Sequence, residues 1–93
     1  MSTDNKYSKV IIRNQEMPEH MRKDAEEQAV KAFELYRTES EISDHIKKFF
    51  DSTHTPTWNC ITGKNFGAFV THETKRYLYF GIGHLNILLW KCG

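Results

Sequence analysis

The chain has 93 residues, a length that supports one domain with a small hydrophobic core. Its apolar share of 39% is ordinary for a globular protein, and its formal net charge of +1 is too small to indicate a nucleic-acid or membrane-surface partner. The two cysteines, Cys60 and Cys92, are too few for a disulfide framework, and no apolar run approaches the roughly 18–20 residues that cross a bilayer.

Residues 1–6 are polar and lack the apolar centre of a secretory leader. With so few cysteines, this predicts a soluble protein of a reducing compartment whose two thiols are free. We expect residues 1–8 to form a flexible tail and residues 9–93 to form a single domain.

The first predicted elements are a short strand and a helix. Residues 10–13 form a brief strand candidate, and Pro18-Glu19 has the proline and the acidic residue that open a helix. Val30 lies opposite the apolar face of this helix and does not fit the pattern. The apolar face consists of Met21, Ala25, Ala29, Ala32, Phe33 and Tyr36.

A second helix is predicted to begin near Thr38. Thr38 and Glu41 have capping-box spacing, although Ser40 is an alternative cap. The helix ends before Pro56, because the residue preceding a proline disfavours helical geometry. Its apolar stripe, which must pack against another apolar surface, consists of Ile42, Ile46, Phe49 and Phe50.

The remainder of the chain is predicted to be β-structure, with strands at residues 58–62, 66–72, 76–80 and 85–91. Turns are expected at residues 63–65 and 81–84, where glycine and asparagine tolerate positive φ. The last strand is apolar on both faces, which predicts a central position in the sheet. The order of elements indicates an α+β fold, with two helices packed on an antiparallel β-sheet.

Three short patterns suggest other chemistry, and each lacks a component. His72-Glu73 begins like a zinc-protease motif, but Arg76 occupies the position of the second histidine, and the histidines and cysteines show no metal-ligand spacing. Residues 64–70 approach an RNA-recognition signature, but Ala68 separates its aromatic residues by three positions. Cys60 would need a neighbouring base to act as a nucleophile. The alternatives to a recognition function are an RNA-binding module and a small redox or hydrolytic enzyme. Each would have to function without one component of its usual pattern.

The predicted strand at residues 66–72 has small residues at its centre. Gly67 and Ala68 would let another backbone approach closely. An exposed edge of this kind can accept an added strand from a partner peptide. The pattern thus favours recognition over catalysis.

From about Val10 to Gly93, the chain resembles the cytoplasmic dynein light chains of the eight-kilodalton type. The most specific part of the resemblance is Asn65-Phe66-Gly67 followed by Val70-Thr71-His72-Glu73-Thr74-Lys75. Further matching positions are Asn14, His45-Ile46-Lys47-Lys48, Pro56-Thr57-Trp58, Gly63, Tyr79-Phe80, Gly83, Ile87-Leu88-Leu89, Lys91 and Gly93.

The resemblance implies a noncatalytic homodimer without a cofactor or metal. One strand of each subunit would cross into the sheet of the other, and two grooves at the interface would bind short peptide segments as added strands. The implied partners are dynein intermediate chain and other proteins with Thr-Gln-Thr-like segments. The implied location is the cytoplasm, on the cytoskeleton in the dynein complex.

The resemblance also implies roles for individual residues. Glu39 and Ser40 would receive the glutamine of the peptide at the start of the second helix, where free N–H groups suit an amide oxygen. The implied peptide-binding residues are Glu39, Ser40, Asn65, Phe66, Gly67, Ala68, Phe69, Val70, Thr71, His72, Tyr77, Tyr79 and Leu88. The implied dimer-interface residues are Lys47, Trp58, Asn59, Ile61, Phe66 and Thr71.

Several positions depart from the family pattern. Asn59 replaces a histidine common in the family beside the two-fold axis, so the dimer is expected to lack an acid-driven dissociation. Ser40 replaces a common lysine, and Cys92 replaces a serine. Gly81 replaces an aromatic residue and Asn86 a small apolar one, which alters one end of the groove. The peptide preference is therefore expected to differ from the usual motif.

Overall fold

The structure is a computed structural model, which describes residues 10–64 and 76–92. This part of the chain contains two helices and four strands, and the strands form one antiparallel sheet in the order β1-β3-β4-β2. The elements are β1 Val10–Glu16, α1 Glu19–Leu35, α2 Glu39–Thr53, β2 Trp58–Gly63, β3 Tyr77–Ile82 and β4 Leu85–Lys91. The predicted fold class, two helices packed on an antiparallel sheet, is confirmed.

The apolar face predicted for α1 is confirmed. Its alanines and Met21 are buried, and Phe33 and Tyr36 pack against the core while remaining partly exposed. Val30, the misfit of the pattern, is also partly buried against the core. Pro18 is the N-cap residue, and its carbonyl accepts the N–H groups of Met21 and Arg22.

Helix α2 begins with the predicted capping box. The Thr38 side chain accepts the Glu41 N–H at 3.2 Å, and the Glu41 carboxylate accepts the Thr38 N–H at 3.3 Å. Thr38, and not Ser40, is therefore the cap. In the predicted apolar stripe, Ile42, Ile46 and Phe50 are buried and Phe49 is partly buried.

The core lies between the helices and one face of the sheet, which we call the inner face. Because strand side chains alternate, the residues that share this face are paired across the strands. Trp58 contacts Phe50 edge-on, with ring centroids 4.8 Å apart, and its indole N–H donates to the Thr55 carbonyl. The inner-face side chains of the core are Trp58, Leu78, Phe80, Ile82, Leu85, Ile87 and Leu89.

Two polar contacts hold α1 against α2. The His45 ring nitrogen Nε2 lies 2.8 Å from Oε1 of the buried Gln28, and His54 Nε2 lies 2.7 Å from Asp24 Oδ2. Each contact gives a hydrogen-bond partner to a polar group that the helix packing removes from water.

The strand bounds correct the sequence prediction in several places. Strand β2 includes Gly63, which was predicted to lie in the turn, and β3 begins at Tyr77, one residue later than predicted. Strand β1 continues past the predicted residues 10–13 to Glu16, because its polar second half still pairs with β3. The predicted turn at residues 81–84 is too long: Gly81 and Ile82 belong to β3, and Ile82 pairs with Leu85. Only Gly83 and His84 form the turn, with Gly83 at φ +59°.

Strand β4 is central, as its apolar faces predicted, and lies between β3 and β2. The predicted strand at residues 66–72 lies outside the described residues. Neither described helix is both long enough and apolar enough to span a membrane.

Candidate functional site

A groove of about 470 Å³ lies between α2 and the edge strand β2. Within residues 10–64 and 76–92, β2 pairs only with β4, so its other edge has no strand beside it. The groove is lined by Glu39, Ser40, Ser43, Asp44, Lys47, Cys60, Ile61 and Thr62. Among the described residues, it thus combines one side of a helix with a strand edge to which no other strand is paired.

The first turn of α2 forms one end of the groove. The capping box uses the Glu41 N–H, and the Ile42 N–H donates to the Thr38 carbonyl. The N–H groups of Glu39 and Ser40 have no acceptor among the described residues, as expected for the first turn of a helix. This end of the groove can therefore donate hydrogen bonds to a carbonyl or amide oxygen.

The wall of the groove is polar but not reactive. The Ser43 hydroxyl donates to the Thr62 hydroxyl at 2.7 Å and joins α2 to β2. Cys60 also lines the groove. The residue is partly exposed, but the surrounding atoms shield its thiol from water. This burial raises the pKa of Cys60 to about 12, against a smaller opposite effect of hydrogen bonds from Ser43 and Thr62. The thiol stays protonated at neutral pH, which makes it unsuitable as a nucleophile.

Two hydrogen bonds to Asp51, which we call the brace, join α2 to β2 next to Lys47 in the groove lining. The Lys47 ammonium donates to one oxygen of Asp51, and the other oxygen accepts the Trp58 N–H at 2.8 Å. The hydrogen bond from Lys47 is the main cause that lowers the pKa of Asp51, and the Trp58 N–H lowers it further. The brace connects the last turns of α2 to the first residue of β2.

The other face of the sheet, which we call the outer face, carries a second set of apolar side chains. In one cross-strand row, Tyr79 lies beside Leu88 and Leu88 beside Ile61. Ile61 is 46% exposed, and Ile11 on β1 is 52% exposed. Both described helices pack on the inner face, but Leu88 is only 5% exposed and Tyr79 is partly buried, so Ile61 is the exposed member of this row.

A second row on the outer face contains Tyr77, Trp90 and Asn59. The Asn59 side-chain N–H donates to the Cys92 sulfur at 2.7 Å, and the Tyr77 hydroxyl donates to Asn14 at 3.3 Å. Asn59 is therefore held by a neighbour at the end of the same sheet. The outer face carries the aromatic residues Tyr77 and Trp90, and residues of this kind are enriched in protein interfaces.

Comparison with known proteins assigns the chain to a family. A model of the family described as dynein light chain type 1 matches residues 9–92. This chain belongs to the dynein light chain family. The family resemblance of the sequence is thus confirmed.

Solved structures share the fold at low identity. The dynein light chain-like domain of FhCaBP2, a calcium binding protein of Fasciola hepatica, aligns with a TM-score of 0.79 and 17% identity, over 91% of this chain and 92% of that one. The corresponding domain of CsTAL3 aligns with a TM-score of 0.74 and 14% identity, over 88% and 90% of the two chains. At these identities, the similarity establishes the fold alone.

The structure places the described members of the predicted site residues in two groups. Glu39, Ser40 and Lys47 lie at the groove, Asn59, Tyr77, Tyr79 and Leu88 lie on the outer face, and Ile61 belongs to both. The side chain of Trp58 is 0% exposed in the core, so only its main chain is available to an interface. The predicted residues Asn65, Phe66, Gly67, Ala68, Phe69, Val70, Thr71 and His72 lie outside the described residues.

Sequence reasoning missed part of the groove wall. Ser43 lies one turn after Glu39 and one turn before Lys47, and this spacing is the signal that could have placed all three on one side of α2. The contact of Ser43 with Thr62 joins positions 19 residues apart. No local pattern predicts such a contact.

Proposed function

We propose that this dynein light chain is a noncatalytic homodimeric adaptor that binds short peptide segments by β-strand addition. The groove between α2 and the unpaired edge of β2 is the observation that carries this proposal. It provides a strand edge with which a crossing strand of the partner chain can pair, so that a peptide can add beside that strand, and, at its end, donors for a side-chain oxygen. These are the two elements that strand addition requires.

In the proposed dimer, residues 66–71 of each chain cross to the partner and pair with the unpaired edge of β2. The outer faces of the two sheets then approach each other and cover Ile61 and the Tyr79–Leu88 row. A short chain with a small core gains stability from such association. The exposed Ile11 and Ile61 support an apolar contact on this face.

The peptide would lie beside residues 66–71 and pair with their main chain. Residues Asn65 to His72 would line the peptide, together with Tyr77, Tyr79 and Leu88. The side-chain oxygen of a central glutamine would accept hydrogen bonds from the free N–H groups of Glu39 and Ser40. Each such bond contributes only about 0.5–1.5 kcal/mol net.

A single peptide would bind with a Kd of about 1 μM, or roughly −8 kcal/mol. A dimeric partner would fill both grooves and gain about 10²–10⁴ in apparent affinity. The adaptor would therefore hold two partner chains side by side. The proposed partners are dynein intermediate chain and other proteins with Thr-Gln-Thr-like segments, in the cytoplasm and on the cytoskeleton.

The donor role of the helix start can be tested with two substitutions at one position. Glu39→Pro removes the N–H of Glu39 at the first helical position, where proline fits and where Thr38 is already extended. Glu39→Ala removes only the side chain and is the matched control. Calorimetry with a Gln-centred peptide is expected to give about three- to tenfold weaker binding for Glu39→Pro than for Glu39→Ala. Equal affinities would contradict this role, and no binding to the unchanged protein would overturn the proposed function.

A further inference from the structure

The sheet has two edge strands, and their free edges differ. Within residues 10–64 and 76–92, β2 pairs only with β4 and β1 pairs only with β3, so each strand has one edge without a neighbouring strand. All 6 residues of β2 pair with β4 in one unbroken register, and none of them is charged. A regular, uncharged edge of this kind is a template to which another strand can add.

Strand β1, in contrast, contains a bulge. Ile12 pairs with Phe80 and Asn14 pairs with Tyr79, so Arg13 is the extra residue between them. Ile12 packs against the core, whereas the side chains of Arg13 and Asn14 both contact outer-face residues, so the alternation of the strand is broken here. A bulge bends its strand and increases the twist, which turns the edge away from an approaching strand.

The side chain of the extra residue has a fitted place on the sheet. Arg13 Nε donates to Asn86 Oδ1 at 3.0 Å. A Cβ at Gly81 would lie 3.0 Å from Arg13 Nη2, so the guanidinium lies in space that the glycine leaves free. One neighbour in β3 and one in β4 thus favour a bulge at this position of β1.

The bulge divides β1 into two short regular runs. Val10 to Ile12 pair with β3 in one register, and Asn14 to Glu16 pair with it in another. Each run has half the length of the unbroken register of β2. A run this short offers few main-chain hydrogen bonds, too few to offset the freedom that two chains lose when they associate.

We infer that the extra residue at position 13 prevents the free edge of β1 from pairing with a second copy of this chain, so that the sheet is extended only at β2. A dimer that used both β2 edges would still present two β1 edges. Pairing between those edges would join one dimer to the next without closure. The inference does not depend on peptide binding in the groove.

Deletion of Arg13 tests the inference, because it removes the extra residue and keeps both registers. The pairs Ile12–Phe80 and Asn14–Tyr79 then follow each other directly, with Ile12 facing inward and Asn14 outward as before. Arg13→Gln is the matched control, since it removes the charge and keeps the extra residue. This control is needed because full antiparallel pairing of residues 10–16 in two copies would place two Arg13 side chains opposite each other, where like charges repel.

Sedimentation velocity at several concentrations measures the association. The deletion variant is expected to form species at least about twofold heavier than the unchanged protein, with a mass that rises with concentration. Arg13→Gln is expected to sediment like the unchanged protein. Gln15→Lys, added to the deletion variant, places a lysine on the restored edge and is expected to return the mass to that of the unchanged protein. Urea unfolding establishes that each variant is folded.

Three outcomes would overturn the inference. The first is a folded deletion variant that sediments like the unchanged protein. The second is equal association of Arg13→Gln, which would assign the protection to the charge. The third is association that Gln15→Lys does not reduce, since another surface would then be responsible.

Hydrogen exchange of the unchanged protein decides the question if the deletion variant does not unfold cooperatively. The N–H groups of β1 that do not donate to β3 are expected to exchange equally fast in dilute and in concentrated samples. Protection of these groups that rises with concentration would show that the edge pairs in spite of the extra residue, and the inference would be overturned.

Discussion

The inner and outer faces of the sheet are built from the same strands but differ in what covers them. On β2, Trp58 faces inward and is 0% exposed, whereas Ile61 faces outward and is 46% exposed. On β4, Ile87 faces inward into the core, and the next residue, Leu88, faces outward beside Ile61 but is only 5% exposed. The alternation of one strand thus gives β2 one side chain in the core and another at the surface.

The largest expected difference between the two faces is in folding stability. Ile87→Ala removes a fully buried side chain of the inner face and is expected to lower the free energy of unfolding by about 2–5 kcal/mol. Ile61→Ala, the same change on the outer face, is expected to cost less than about 1 kcal/mol at low chain concentration, where association contributes least. Urea unfolding of both variants measures the difference, and equal costs would contradict the layer assignment.

A charge on the outer face tests association directly. Ile61→Asp places a carboxylate in the proposed interface and is expected to weaken the dimer by about tenfold or more, because an unpaired charge is costly to bury. Leu35→Asp is the matched control, since Leu35 is 66% exposed at the end of α1. Sedimentation velocity measures both dimers. An unchanged dimer in Ile61→Asp would show that this face is not the interface.

The pH dependence of the proposed dimer tests the role of Asn59 in the interface. Asn59 cannot titrate, so the dimer of the unchanged protein is expected to persist from about pH 7 to about pH 5, the range in which a histidine titrates. Asn59→His is expected to weaken the dimer by about tenfold as the pH falls through roughly 6.5, because protonation then places a charge in the interface. Light scattering across this range measures the fraction of dimer. A steep loss of dimer in the unchanged protein would contradict the prediction.

The smallest expected effect is on the brace between α2 and β2. The pKa of Asp51 is lowered in the folded protein, so its contribution to stability is present above its unfolded pKa of about 3.9 and is lost as the pH falls through the lower folded value. Asp51→Asn is expected to cost about 1 kcal/mol at pH 7 and less in acid, since the exposed Lys47 limits the gain.

Asp44→Asn is the control for the brace, because Asp44 forms an exposed pair with Lys48. Its effect on the free energy of unfolding is expected to stay within about 0.5 kcal/mol. Thermal or urea unfolding at about pH 7 and about pH 3 compares the two variants, since the lower value lies below the unfolded pKa of an aspartate. An Asp51→Asn cost that is the same at both values, or equal to that of Asp44→Asn, would contradict the role of the carboxylate.

Local patterns predicted the parts of the fold that depend on local physics. The spacing of Ile42, Ile46 and Phe50 predicted the buried stripe of α2, and Thr38 with Glu41 predicted its cap. The apolar faces of β4 predicted its central position. The turn before β4 was predicted too long, because a glycine in sequence suggests a turn. In the structure, Gly81 lies within β3 and leaves space for the Arg13 side chain of β1.

The groove depends on contacts between distant positions, and only part of it was predicted. The family resemblance supplied Glu39 and Ser40, but not the Ser43–Thr62 contact or the partly shielded thiol of Cys60 between them. The position of Arg13 depends on a bulge in β1 and on Asn86, which lies 73 positions further along the chain. Sequence spacing does not encode such contacts.

The central claim is that the groove between α2 and β2 binds a peptide strand in a dimer. The most direct measurement is a titration of the protein with a Gln-centred peptide, followed by the backbone amide signals in NMR spectra. The account predicts saturable shifts at Glu39, Ser40 and residues 65–72, with one peptide per chain. Saturation without shifts at these positions, or shifts confined to the outside of α1, would contradict it.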